Sequence, residues 1–452
     1  MEAAQATCPG DVLKDNKDVS VAKNICEIVN ENTNRESTPK EEETKNNTNN
    51  LKDGSGGQVV NAVAKHYNEL EEFGLASRSR SRIFYLRNFN NWIKSILIGN
   101  ILQKIRNENG GDHNITVLDM CSGKGGDILK WRKGQISKLV CVDIAETSVE
   151  QSKMRYKEMQ DRNQSSRQRQ PIFKAEFLTA DVTKQRLKEM YADPDLHFDL
   201  VSCQFAFHYS FESYPQADMM LKNISECLQP GGYFVGTTPN SYELIHRIRA
   251  AEGNSFGNEV YNVEFESKDK ENFPLFGAQY WFRLEGVVDC PEFLVYFPAL
   301  EKMAEKYGLK LISKKPFAEF FNENVNVAGE NRGLLGRMQA LEPYPVEDGV
   351  NAMSSNQDDY AFAKEALDKA IASGNYDFRR PLKVGTLSKA EWEAITLYLV
   401  FVFQKVKVDK KLDSYDKSHV SSPTRTSKRK YDDDDDDLDD TKLSSPKKFE
   451  IN

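Results

Sequence analysis

Residues 115–127 read ITVLDMCSGKGGD, a short apolar run that ends in an acid and passes straight into a glycine-rich turn. Glycines at such a turn let backbone N–H groups approach a ligand, at the start of a helix whose dipole favours negative charge. The theme repeats down the chain: KLVCVDI at 138–144, FKAEFLTADV at 173–182, FDLVSCQFAFHY at 198–209 and GGYFVGTTP at 231–239 are further apolar runs. Between them lie helical stretches such as ETSVEQSKMRYKEMQ and ADMMLKNISECL. Buried parallel strands separated by helices are the signature of a doubly wound α/β sheet. Beyond residue 240 come a polar insert with strand-like pieces (EVYNVEF, QYWFRLEG), the helical LVYFPALEKMAEKYG, then LKLISKKPFAEFF. A last apolar run, AITLYLVFVF, closes the domain.

The ends of the chain read differently. Residues 1–60 are poor in aromatic and branched side chains and rich in Asn, Glu, Lys and Thr, and residues 406–452 include a stretch, 432–440, in which eight of nine residues are Asp. Neither can bury enough apolar surface to offset chain entropy, so both are expected to be disordered tails flanking a folded domain at 61–405. Those tails explain a mean hydropathy of −0.63 in a chain of 452 residues that is 39% hydrophobic. No apolar run approaches the ~18 residues of a membrane span, and the first thirty residues lack the basic-then-apolar order of a signal peptide. A membrane or secreted protein is therefore not expected. Seven scattered cysteines without a C-x-x-C pair exclude a zinc ribbon and give no disulfide framework. Reduced thiols are expected. The net charge is −8, 61 basic against 69 acidic residues, but with the tails set aside the core at 61–405 is near neutral and can bind polyanions where its basic residues cluster. Arg78, Arg80, Arg82 and Arg87 do cluster, with no acid between them. They form either a polyanion site or a solvated basic face.

In open α/β sheets the ligand lies at the carboxyl ends of the strands. There the first run ends in Asp119, followed by Cys121, Ser122, Gly123, Lys124, Gly125, Gly126 and Asp127. The second ends in Asp143, at the spacing from the loop at which an acid accepts from both hydroxyls of a ribose. The third ends at Asp181, the fourth at Gln204, with Phe205, Phe207, His208 and Tyr209 following. A dinucleotide is the obvious rival, but the full G-x-G-x-x-G is absent. An acid after the third strand can accept from the exocyclic amine of an adenine, and an adenosine without phosphates suits a loop without a pyrophosphate cradle. S-adenosylmethionine is such an adenosine.

Three stretches make the pattern specific: VLDMCSGKGGDILKW, CQFAFHYSFESYPQADMMLKNISECLQPGGYFVGTTPNSYELI and EGVVDCPEFLVYFP. They resemble the eukaryotic mRNA cap guanine-N7 methyltransferases, and the likeness runs from about Asn61 to about Phe403. The resemblance implies a class I methyltransferase (Rossmann-like) sheet of seven strands, the last antiparallel. It implies S-adenosylmethionine contacts at Lys94, Cys121, Asp143, Asp181, Gln204 and Tyr209, with Lys94 near the methionine carboxylate. It implies cap contacts at Asn90, Asn91, Lys124, Lys130, Arg155, His208, Glu292 and Tyr398. Lys124 and Arg155 would meet the 5′-5′ triphosphate, and His208 and Glu292 the guanine edge. One departure is visible: Cys121 stands where the family has Gly or Ala, and Ser122 where it has Cys.

Taken singly, these residues have other readings. Tyr209, Phe205 and Phe207 could be core, Asp119 could pin a loop, and Arg155 could pair with Glu158 on a helix surface. Glu292, following a proline, could be an ordinary first-turn helix acid. The implied reaction needs no Ser-His-Asp or paired-carboxylate apparatus, because guanine N7 already carries a lone pair, and no metal is expected. Two rivals remain: an RNA-binding protein that keeps the fold without turnover, and a methyltransferase for another target. Amino-group nucleic-acid enzymes carry an Asn-Pro-Pro-aromatic or acidic tetrapeptide after the fourth strand, where this chain has Ser202, Cys203, Gln204 and Phe205. The resemblance further implies 5′-capped RNA as partner, a small RNA-binding activating subunit of the kind vertebrate members use, contact with the transcription machinery, and a place in the nucleus. Lys428-Arg429-Lys430 and Pro446-Lys447-Lys448 are the basic clusters an import receptor would read.

Overall fold

A computed structural model describes residues 80–406, apart from 112, 168, 328, 348–350 and 375–381, together with 63, 65, 66 and 68. All belong to the unit Met1–Lys407. The expected tails at 1–60 and 406–452 lie outside the described residues, Val406 apart, as does Arg78.

Helix α1 (Phe84–Glu108) opens the described fold. Leu86, Phe89, Trp92, Ile93, Ile96, Leu97, Ile101 and Ile105 recur at three- and four-residue steps, so one face is buried. The chain then alternates: β1 (Thr116–Met120), α2 (Ile128–Lys133), β2 (Lys138–Asp143), α3 (Glu146–Ser165), β3 (Lys174–Thr179), β4 (Phe198–Gln204), α4 (Tyr214–Glu226) and β5 (Leu228–Pro239). After α5 (Ser241–Ala250), the insert forms its own antiparallel sheet of β6 (Ser255–Gly257), β7 (Tyr261–Phe265), β8 (Gln279–Leu284) and β9 (Val288–Phe293). The chain returns through α6 (Phe297–Lys306), β10 (Leu309–Pro316), α7 (Phe317–Asn324) and α8 (Gly329–Arg337). A small excursion, β11 (Glu342–Tyr344), α9 (Ala361–Ala372) and β12 (Val384–Thr386), precedes α10 (Lys389–Ile395) and β13 (Tyr398–Lys405).

The main sheet has seven strands in the order β10-β13-β5-β4-β1-β2-β3. β3, β2, β1, β4 and β5 are mutually parallel, while β13 runs antiparallel to both β5 and β10. This is the expected doubly wound sheet with its last strand reversed. Successive side chains of each strand serve opposite faces. Val117 and Leu200 pack with α1, while Leu118 and Val201 face α4 and α6.

β4 stops at Gln204, as expected; beyond it Phe205 turns left-handed at φ +59°, and Phe207–Glu212 is a 3-10 helix. Glu292 lies in a strand, β9, not in a helical turn. The arginine cluster also divides. Arg82 is a structural tie, reaching Glu259 at 3.0 Å, Asp359 at 3.3 Å and Glu391 at 3.6 Å, whereas Arg87 points to the cavity described next. Glu391 itself closes a capping box with Ser388 at the start of α10.

Candidate active site

A cavity of about 540 Å³ opens at the carboxyl ends of β1, β2 and β4, against α1. Its floor is the loop after β1. Cys121, Gly123 and Gly125 all take left-handed backbone (φ +53°, +51° and +73°), which folds the loop back over the strand ends. At Gly125 a Cβ would lie 2.6 Å from Ile128 Cδ1 and from Ser152 Oγ, so α2 and α3 close on that residue. Cys121 carries a β-carbon at a corner where glycine is cheaper. Its thiol is held well above the ordinary range, first by its hydrogen bond with Cys203 and then by burial and the carboxylates of Asp143 and Asp181.

Asp143 ends β2. Its Oδ2 accepts from Gly123 N at 2.7 Å and its Oδ1 from Ala145 N at 2.9 Å. Burial raises its pKa, and the backbone donors oppose that rise. Asp181 accepts from Thr183 N at 3.0 Å and Thr183 Oγ1 at 2.6 Å, and it meets Lys184 at 3.2 Å. Gln204 donates to Ser202 Oγ at 3.0 Å, while its buried Oε1 has no hydrogen-bond partner. An unsatisfied buried acceptor facing a cavity is costly, and a bound donor relieves it. Lys94, Cys121, Asp143, Asp181, Gln204 and Tyr209, the six expected cofactor residues, all line this one cavity.

The expected cap residues divide. Asn91, Lys124 and Arg155 line the same cavity; Asn90, Lys130, His208, Glu292 and Tyr398 are not part of its wall. Lys130 is drawn into a buried ionic cluster that residue reading did not single out. Asp127 Oδ1 sits 2.9 Å from Lys94 Nζ and 2.6 Å from Lys130 Nζ, and Lys130 also donates to Asn91 Oδ1 at 3.1 Å. Burial works to raise the Asp127 pKa, but the two ammonium groups outweigh it and hold it below the usual carboxylate range. Asp119 beneath is pushed up to about 7, by burial first and then by Asp127, against the donor Trp131 Nε1 at 3.0 Å. Burial of Lys130 lowers its own pKa. Asp127 was visible as the acid closing the glycine-rich loop, and Lys130 stands at an i,i+3 spacing from it, but nothing in one sequence says that Lys94 joins them.

His208, Glu292 and Tyr398 are buried, at 1%, 3% and 7% exposure. His208 Nε2 lies 3.3 Å from Glu292 Oε1, yet neither ring nitrogen makes an aligned hydrogen bond. Tyr280 donates to Glu292 Oε2 at 2.8 Å. The His208 ring lies 4.3 Å from that of Tyr209, and the Tyr398 ring 5.1 Å from that of Phe205. Tyr209 and Phe205 line the cavity, so this buried group adjoins it. The alternative readings resolve only in part. Phe207 is core at 0% exposure, Asp119 does pin Trp131, and Arg155 faces the cavity.

A seven-stranded sheet with one reversed strand, a left-handed glycine loop after β1, and acids ending β2 and beyond β3 define a class I S-adenosylmethionine-dependent methyltransferase. The family model described as the mRNA (guanine-N(7))-methyltransferase domain matches residues 50–406. The chain belongs to that family. An mRNA cap guanine-N(7) methyltransferase of Drosophila melanogaster is 48% identical over 355 residues, 78% of this chain and 79% of the relative. One from Caenorhabditis elegans is 40% identical over 348 residues, 76% and 87% of the two chains. A solved S-adenosylmethionine-dependent methyltransferase from Clostridium acetobutylicum covers 77% of this chain and 99% of its own, at 12% identity and a TM-score of 0.36. A likeness that low carries no weight beside the sheet order. Among the described residues no cluster of His, Cys, Asp or Glu could hold a metal, and no helix is long and apolar enough to cross a membrane.

Proposed function

We propose that residues 61–405 form the catalytic domain that transfers the methyl group of S-adenosylmethionine to N7 of the guanosine in GpppN-capped RNA. The carrying observation is that Asp143 and Asp181 border the same cavity as Lys124 and Arg155. Acceptors for an adenosine thus stand beside cations for a polyphosphate. When bound, S-adenosylmethionine supplies an electrophilic methyl group on a sulfonium centre. In this reading Asp143 accepts from ribose hydroxyls, Asp181 and Gln204 serve the adenine and methionine ends, and Cys121 and Tyr209 pack beside them. Lys94, steadied by Asp127, faces the methionine carboxylate. Lys124, Lys130 and Arg155 offset triphosphate charge, with Asn90 and Asn91 beside them on α1. His208, Glu292 and Tyr398 hold the guanine.

No side chain has to remove a proton, because N7 offers its lone pair directly. The work of the protein is to fix two reactants in line, worth up to roughly 7–11 kcal/mol in well-oriented systems. As positive charge arrives on the guanine, the carboxylate of Glu292 favours it. We further propose that the enzyme acts in the nucleus beside the transcription machinery, and that a small RNA-binding subunit can activate it. Supplying methyl-labelled S-adenosylmethionine and GpppG-capped RNA, then digesting the product, tests the core of this reading. Label recovered as 7-methylguanosine supports it; label at another atom, or none, overturns it.

A further inference from the structure

We infer that Tyr280 is a positioning residue for guanine recognition, holding the Glu292 carboxylate in the orientation that reads the base. This rests on the proposed contact between Glu292 and the guanine edge. Tyr280 and Glu292 are register partners on β8 and β9, directly opposite each other in the insert sheet. Both are buried, at 0% and 3% exposure. The terminal torsion of a glutamate is broad and roughly two-fold, so a buried carboxylate left alone has no preferred plane. The Tyr280 hydroxyl, 2.8 Å from Oε2, supplies one. Burial first, and then Glu292 itself, keep the proton on the phenol, so Tyr280 is the donor. Its ring is fixed in turn against Phe265, with centroids 5.5 Å apart.

The consequence is selectivity. A guanine edge presents N1–H and a 2-amino group, two donors in one plane, and a carboxylate satisfies both only when coplanar with them. Hypoxanthine presents N1–H alone. A Glu292 that has lost its plane still accepts one hydrogen bond but no longer rewards the second.

The test compares kcat/KM for GpppG-capped and inosine-capped RNA in the wild type, Y280F, E292Q and the double variant. Removing one hydroxyl keeps the ring. Y280F is expected to lower the guanine-to-inosine ratio about tenfold, the scale of one hydrogen bond to a charged group. Its affinity for S-adenosylmethionine should match the wild type, which also reports an intact fold. In the E292Q background Y280F should change the ratio no further. If E292Q lowers the ratio and Y280F does not, the inference fails alone. It also fails alone if Y280F lowers both substrates equally, since that is packing. If E292Q keeps the wild-type ratio, the guanine contact of Glu292 fails and takes the inference with it.

Discussion

The amide of Gly123 donates to Asp143 Oδ2 at 2.7 Å, joining the glycine-rich loop to the end of the neighbouring strand across 20 residues of chain. Asp143 therefore shapes the loop and borders the cavity at once. D143A is expected to weaken S-adenosylmethionine binding about 10–100-fold, the range for lost hydrogen bonds to a charged acceptor. Binding of GpppG should fall far less, and calorimetric titration of the two ligands reads the difference. Equal losses would deny Asp143 its place at the cofactor.

Gly125 tolerates no side chain. Its φ of +73° alone costs an alanine about 1–2 kcal/mol. The added carbon would also stand 3.2 Å from the Ser152 backbone. G125A should lower the urea midpoint and release α2 from α3, with loss of cofactor binding. Unchanged stability would show that the loop can refold around the methyl group.

Asp119 provides a pH signature. Its pKa is raised from 3.8 to about 7 by burial and by Asp127, so folding favours the protonated acid. Wild-type stability then falls as pH climbs through that interval and levels off above it. D119N can still accept from Trp131 but carries no charge. Its melting temperature relative to wild type should rise between pH 5 and pH 8. A constant difference would place the titration elsewhere.

Lys124 and Arg155 border the cavity from the loop and from α3. Replacing either by Ala should weaken capped RNA more than guanosine. The slope of log affinity against log salt should flatten by roughly 0.7 per lost phosphate contact on a single strand. A slope identical to wild type would make them wall residues only.

Deleting 421–452 is expected to reduce nuclear accumulation of a tagged chain, because Lys428-Arg429-Lys430 and Pro446-Lys447-Lys448 go with it. Methyl transfer by the purified truncated chain should persist. Full nuclear retention would move the import signal elsewhere in the chain or onto a partner.

The sheet was legible because buried parallel strands are nearly continuous apolar runs, and the acids at their ends mark the ligand side. The end of β4 at Gln204 was legible as well, but the conformation beyond it was not. Phe205, Phe207 and Tyr209 are as apolar as the strand before them, and only a positive φ at Phe205 reveals the turn into a 3-10 helix. The alternative reading of Glu292 as a first-turn helix acid does not hold: a proline before an acid suits a helix start as well as a strand, and here it is a strand. The Asp127 cluster is a longer-range matter. Its partner Lys94 lies 33 residues upstream on another element, and no local pattern encodes that meeting.

The reversed strand β13 fills the slot between β5 and β10, pairing Tyr398 with Pro239 on one side and Leu309 with Lys405 on the other. During synthesis those two neighbours wait, with open edges, for the final stretch of the domain to leave the ribosome. Tyr398, the first residue of that stretch, adjoins the site through Phe205. A nascent chain halted before it would hold every residue that lines the cavity and still lack the closing wedge. Such intermediates are the ones exposed to edge-to-edge association, so translation speed over residues 398–405 should govern how much correctly folded chain a cell recovers.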